Sequence, residues 1–249
     1  MKVSIITVCF NSGKTIEDTI KSVIEQTYKS IEYIVIDGGS TDDTNEIISK
    51  YSDVVNVYIS EKDNGLYDAM NKGLKIATGE LVGILNSDDI LAYRSAIEDI
   101  VNNVAGYDGI YADIGFYNHD FSKKTRHFSS ANFRKEKFSR GFMPAHPSCY
   151  FKKELIDVVG LYDTTYRIAS DFDYLLRSFK VCNSHFFYLN KEVVKMREGG
   201  ISTSGIISKL ILNKEIIDSC AKNGISSGWI YILSKYPEKL AGLINKKVQ

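Results

Sequence analysis

Two hydrophobic periods alternate along residues 1–115, and that alternation constrains the fold of this chain more than any other feature. Residues 3–10 form an apolar run rich in β-branched side chains and read as a buried strand. Ile16, Ile20, Val23 and Ile24 then fall at i, i+4, i+7 and i+8, which is one face of a helix. The pattern repeats. Ile31–Asp37 predicts a second strand, residues 42–51 a helix and residues 54–60 a third strand. Leu66, Ala69, Met70, Gly73, Leu74 and Ala77 make the cleanest helical stripe, with Asp63 or Asn64 as the expected cap and Gly79 as the stop. Residues 81–85 predict strand four, followed by a helix near 94–104 and a strand near 107–114. The expected class is α/β, a mostly parallel central sheet with helices on both faces. Such sheets bind ligands beyond the carboxyl ends of their strands. The polar clusters Asn11-Ser12, Asp37 to Asp42, and Asn86 to Asp89 stand at those ends.

Composition removes several function classes. Lys+Arg and Asp+Glu both number 31, whereas a nucleic-acid binder needs excess positive charge, so no nucleic-acid partner is expected. A hydrophobic content of 44% is too high for a disordered chain. Cys9, Cys149, Cys182 and Cys220 form no C-x-x-C pair, which implies reduced thiols in a cytoplasmic protein rather than a zinc ribbon or disulfide framework. Neither a membrane span nor an export signal is visible. The second half is less regular: residues 116–140 show weak periodicity, and residues 141–151 read as a loop entering a short strand. A helix is expected from near Asp171, a strand at 185–189, and a helix at 206–217 with Ile206, Ile207, Leu210, Ile211 and Ile217 on its apolar face.

Four motifs invite chemistry. Asn11-Ser12-Gly13-Lys14-Thr15 sits where a phosphate-binding loop would, but that motif requires glycine at position 8 and Val8 stands there. An NTPase is therefore only a weak alternative. Asp88-Asp89 can hold a divalent cation that bridges to a diphosphate, or can simply cap the next helix. Asp171 and Asp173 flank a helix start, where one could serve as general base or as N-cap. His146 lies between Pro144 and Pro147, a stiff setting that suits binding or loop packing. No G-x-S-x-G or H-E-x-x-H occurs, so hydrolase and zinc-protease readings have no basis.

In order along the chain come Val3-Ser4-Ile5-Ile6-Thr7-Val8-Cys9-Phe10-Asn11, Ile34-Val35-Ile36-Asp37-Gly38-Gly39-Ser40-Thr41-Asp42, Asp63-Asn64-Gly65-Leu66-Tyr67-Asp68-Ala69-Met70-Asn71-Lys72-Gly73, Leu85-Asn86-Ser87-Asp88-Asp89, His146-Pro147-Ser148 through Phe151, and Ser170-Asp171-Phe172-Asp173. This set resembles family 2 glycosyltransferases of the GT-A fold, in particular bacterial enzymes that build O-antigen or other surface polysaccharides. The resemblance implies that Thr7 and Asn11 line a nucleotide pocket, that Asp37 binds the base or ribose, most simply of uridine, and that Ser40 and Asp42 share its loop. It implies that Asp63, Asn71 and Lys72 flank the diphosphate-sugar, that Asp88 and Asp89 hold Mn²⁺ or Mg²⁺, and that Asp171 is the general base. The implied reaction is inverting transfer of one sugar from a nucleotide sugar, a UDP-hexose, to a polyprenyl-diphosphate-linked acceptor. The Q-x-x-R-W motif of processive synthases is absent.

Two departures stand out. Asn86 occupies the first position of D-x-D, and Met196-Arg197-Glu198 lies where the family often has a histidine, which leaves Arg197 as a candidate diphosphate contact. They keep a catalytically inactive sugar-nucleotide-binding module open as an alternative. The expected organisation is a GT-A domain over 1–205, with a nucleotide-sugar half (1–115) and an acceptor half (116–205), then a basic helical segment over 206–249. That segment carries seven lysines against Glu215, Asp218 and Glu238. It suits either an interfacial helix on the inner face of the cytoplasmic membrane or a helix packed on the domain.

Overall fold

The structure, a computed structural model, describes residues 1–181, 185–199 and 205–234. The first half follows the expected alternation: β1 Val3–Cys9, α1 Ile16–Ile24, β2 Ile31–Asp37, α2 Thr44–Ser49, β3 Val57–Ser60, α3 Leu66–Ile76 and β4 Leu81–Ile84. Then come β5 Ile90–Leu91, α4 Ala96–Asn103, β6 Gly109–Tyr117, β7 Lys124–Phe128, β8 Tyr150–Lys152, α5 Lys153–Val159, α6 Ser170–Lys180, β9 Phe186–Arg197, α7 Gly205–Lys222 and α8 Trp229–Leu233.

Among the described residues one sheet runs β3-β2-β1-β4-β8-β6-β9-β5, with β7 paired to β6. The pairs β2–β3, β1–β2, β1–β4 and β6–β9 are parallel. β8 is antiparallel to both β4 and β6, so β6 and β9 point the same way as β1 to β4. β5 and β7 run antiparallel to their neighbours. The sheet is thus mostly parallel in direction, with helices on both faces.

Burial on both faces explains why the strands read as unbroken apolar runs. On one side Ile6, Val8, Ile34 and Ile36 pack against Met70 and Leu74 of α3 and Phe172, Leu175 and Leu176 of α6. On the other, Val3, Ile5, Tyr33 and Val35 meet Ile16, Ile20 and Val23 of α1 and Ile97 and Ile100 of α4.

Several boundaries differ from expectation. Neither Asp63 nor Asn64 caps α3. Gly65 is the cap residue, with a left-handed φ of 111° that suits glycine, and Asp63 instead accepts the Gly65 N–H at 2.9 Å. Gly79 is not the stop either, because α3 ends at Ile76 and the chain is already extended at Ala77. Residues 116–140 contain the turn and the second strand of the β6–β7 hairpin. β9 continues well past residue 189, through register shifts around Asp113, because a bulge absorbs the exposed Asn190 and Lys191.

The segment after residue 205 is docked as far as Ser234. On α7 the buried residues are Asn213, Ile216, Ser219 and Cys220, whereas Ile207 and Leu210 are exposed. Of the apolar face expected from sequence, Ile217 packs against the core while Ile207 and Leu210 face outward, and the buried face is half polar. Lys235, Lys239, Lys246 and Lys247 lie outside the described residues. Among the described residues no helix is long and apolar enough to cross a membrane.

Candidate active site

The carboxyl ends of β1, β2 and β4 carry three loops that lock together. Asp37, fully buried at the end of β2, is the hub. Its carboxylate accepts the N–H groups of Gly39 (3.1 Å) and Ser40 (3.0 Å) and the hydroxyls of Ser40 and Ser60. Asn11 has a positive φ of 49°, which asparagine tolerates, and its Oδ1 accepts the Thr41 N–H at 2.9 Å. Ser40 Oγ accepts the Asn11 N–H at 2.8 Å, Thr44 Oγ1 the Ser12 N–H at 2.7 Å, and Asp42 Oδ2 the Gly13 N–H at 3.0 Å. Bonds from Thr44 and Gly13 hold the exposed Asp42 carboxyl below its ordinary pKa. These contacts also answer the phosphate-loop question. The N–H groups of residues 11–13, which would form the nest, are already engaged by the neighbouring loop.

Four expected site residues are placed differently in character. Thr7 is fully buried on the α1 side of the sheet, where its hydroxyl receives that of Tyr33 at 3.1 Å. Asn71 is buried and spans the backbone of Tyr162, donating to its carbonyl at 2.9 Å and accepting its N–H at 2.8 Å. Lys72 pairs with Glu61 at 2.9 Å. Asp63 sits over Gly38, where a Cβ would lie 2.4 Å from its Oδ2, so a side chain at position 38 would push the Asp63 carboxylate aside. The Asn71 brace fixes the 161–169 loop to α3. Replacing it with leucine strands both Tyr162 groups, and we expect urea unfolding to show a loss of about 2–3 kcal/mol with the m-value unchanged.

The turn after β4 presents Asp88 half-buried and Asp89 buried beneath it. Burial raises the Asp88 pKa; burial and then the Asp88 charge push Asp89 well above the carboxylate range. Asn86 Nδ2 donates to Asp89 Oδ2 at 3.3 Å, yet Asn86 Oδ1 and Asp89 Oδ1 are buried without a partner. Among the described residues no group of three or more His, Cys, Asp or Glu converges as a metal cage. The donors present are all hard oxygens. They fit a Mg²⁺ or Mn²⁺ held by few protein ligands and completed by diphosphate and water. Arg197 is not free to meet a diphosphate: it is buried, donates to His119 O at 2.7 Å and to Asp88 O at 3.5 Å, and pairs with Asp18. It anchors the acidic turn from behind.

The second carboxylate centre is Asp171, in the first turn of α6. It does not cap the helix; Ala169 is the cap residue. Its Oδ1 accepts the Phe172 N–H at 2.7 Å. Burial pushes its pKa up to about 6, and the nearby Glu215 adds to the rise. The Tyr67 hydroxyl, from the first turn of α3, donates to Ile168 O and so ties this centre to the same sheet edge as the loops above. Below lies a ring column, with Tyr67 and Tyr162 5.9 Å apart and Tyr162 and Tyr174 4.2 Å apart. His146 belongs to this packing. It is buried, its Nε2 lies 2.7 Å from the Tyr162 hydroxyl, and burial lowers its pKa to about 4. Asp173 points the other way, paired with Arg177 at 2.7 Å. Sequence reasoning missed Tyr67, Tyr162 and Glu215, whose contacts are all long-range.

Residues 4–158, more than half of the chain, match the profile described as Glycosyl transferase family 2. The chain belongs to this family. An uncharacterized glycosyltransferase of Mycobacterium tuberculosis is 34% identical over 182 residues, covering 72% of this chain and 70% of that protein. A PGL/p-HBAD biosynthesis glycosyltransferase of Mycobacterium bovis is 25% identical over 217 residues, covering 85% and 82%. Among solved structures, Staphylococcus aureus TarS 1–349 in complex with UDP-GlcNAc aligns with a TM-score of 0.68 at 19% identity, covering 89% of this chain and 73% of that one. The mannosyltransferase PcManGT of Pyrobaculum calidifontis, in complex with GDP-Man and Mn²⁺, aligns with a TM-score of 0.66 at 18% identity, covering 89% and 64%. The fold is GT-A, and the protein is a glycosyltransferase.

Proposed function

We propose that the protein transfers one sugar from a UDP-hexose to a hydroxyl of a polyprenyl-diphosphate-linked acceptor, with inversion, during assembly of O-antigen or another surface polysaccharide. The observation that supports this reading is Asp171 in the first turn of α6, a carboxylate that accepts the Phe172 N–H and whose approach is tied through Tyr67 to the start of α3. Nucleotide-sugar complexes of fold neighbours support the donor class.

The interlocked loops of residues 10–13 and 38–42 hold the nucleotide, and Asp63 and Lys72 border its diphosphate. Asp88, with Asn86 and Asp89 beneath, would hold Mn²⁺ or Mg²⁺, which when bound neutralises the departing diphosphate. Asp171 accepts the acceptor's O–H proton as that oxygen bonds to the anomeric carbon. The bond from that carbon to the diphosphate breaks on the opposite face, so an α-linked donor gives a β-linked product. A pKa near 6 suits a base that is ionised at neutral pH and still basic enough to take a proton. Metal-dependent UDP-sugar binding without turnover on any acceptor would instead identify a binding module, the reading that Asn86 favours.

A lipid-linked acceptor requires work at a membrane surface. Ile232 of α8 is buried, while Trp229, Ile230, Tyr231 and Leu233 are exposed beside it. One short helix thus packs on the domain and offers an apolar ridge of interfacial character. We expect the full chain to co-sediment with phosphatidylglycerol vesicles and Ile230→Asp to lose at least about 5-fold in binding, roughly 1 kcal/mol. Unchanged sedimentation of that variant would remove α8 from the docking account.

A further inference from the structure

We infer that Glu215 of α7 is a positioning residue for Asp171, its carboxylate fixing the turn from which the base is presented; this rests on the reading of Asp171 as base. Glu215 accepts three consecutive backbone N–H groups, those of Arg167 (2.8 Å), Ile168 (2.9 Å) and Ala169 (2.9 Å). These residues lead directly into α6, whose cap residue Ala169 has no side chain able to accept a bond. Helix starts leave N–H groups unpaired, and a local Ser, Thr, Asp or Asn usually meets them. Here the acceptor comes from 46 residues away.

Glu215 does not act alone: Ser219 of α7 and Asn223, one residue past its end, join it. Ser219 Oγ and Asn223 Nδ2 donate to Asp173 Oδ1 at 2.8 and 3.1 Å. Residues 215, 219 and 223 recur at i, i+4 and i+8, a single stripe laid along the first turn of α6. From the other side, the Tyr67 hydroxyl holds Ile168 O. The turn before Asp171 is therefore clamped at its N–H groups by α7 and at a carbonyl by α3. Asp171 itself retains one backbone partner, the Phe172 N–H. Its other titratable neighbours are Tyr67, Tyr162 and Cys149, all pushed upward in pKa by burial and so neutral at physiological pH. Glu215 supplies the nearby negative charge.

The test uses the full chain. A ¹³C titration of aspartate carboxyl carbons, with Asp171 assigned by the signal missing in Asp171→Asn, gives the base's midpoint without any substrate. Glu215→Gln keeps an acceptor oxygen but removes the charge and at least one N–H bond. We expect the Asp171 midpoint to fall below its wild-type value. We also expect kcat for UDP release from the best-used UDP-sugar to fall about 10-fold, with KM for that donor changed less than about 2-fold. Glu215→Asp keeps the charge on a shorter arm and is expected to recover part of kcat. Should Glu215→Gln not fold, Glu215→Asp decides through the kcat and KM split. A folded Glu215→Gln protein with unmoved midpoint and wild-type kcat overturns the inference, as does wild-type kcat in Glu215→Asp when Glu215→Gln does not fold. Wild-type turnover in Asp171→Asn overturns the base assignment beneath it, a separate result.

Discussion

Asp171→Asn is expected to lower sugar transfer by about 10²–10⁴-fold while making the folded protein more stable at pH 7. The two effects share one cause. The Asp171 pKa is raised from 3.8 to about 6 in the folded chain, chiefly by burial. The folded state therefore binds more protons than the unfolded state between these values, and stability falls as pH rises through that window. Above the folded pKa the ionised carboxylate costs on the order of 2–3 kcal/mol, which asparagine does not incur. The gain in melting temperature should be full at pH 7 to 8 and vanish near pH 4. Titrating kcat should show the matching loss of activity as pH drops through about 6, where the base becomes protonated. A variant that loses activity and stability together at pH 7 would mean that Asp171 is a structural residue.

The second large effect is expected at the acidic turn, and it separates two adjacent residues. Asp88→Asn should abolish metal-dependent donor turnover, because Asp88 is the half-exposed carboxylate of the turn. Its loss should also remove the increase in UDP affinity produced by Mn²⁺, read by calorimetry. Asp89→Asn should keep much of both. Asp89 lies buried beneath Asp88, its pKa pushed up by burial and then by the Asp88 charge, so a neutral amide of the same shape is expected to replace it with less loss. Equal loss in both variants would show that the pair ligates the metal jointly and that Asp89 is ionised once it is bound.

The strands and helices of the first half were legible because each buried element repeats its own period. Ile6, Val8, Ile34 and Ile36 alternate with Ile5, Tyr33 and Val35 across two cores, which leaves continuous apolar runs. α3 shows one unbroken stripe. Where an element buries little, the signal fades: β5 is two residues long, and α5 buries only Leu155 and Ile156. The docking face of α7 was legible only in part, at Ile217, for a different reason. Glu215, Ser219 and Asn223 attach it through hydrogen bonds, which a hydrophobic pattern does not register.

The candidate site was legible by residue type more than by role. Asp37 and Asp42 read as ligand contacts but spend much of their bonding on the loops that carry them. Thr7, Asn71 and His146 are polar residues at promising positions that turn inward. Sequence cannot show which way a polar side chain faces when both sides of its element are buried. Asp171 differs because its carboxylate keeps few bonds and a raised pKa.

Inversion through Asp171 is the centre of this account, and the anomeric configuration of the first product tests it most directly. The wild-type chain is given a UDP-α-sugar with Mn²⁺, and the sugar it transfers is followed by ¹H NMR at early times. The account predicts a β-configured product and no signal in Asp171→Asn. An α-configured product would contradict it.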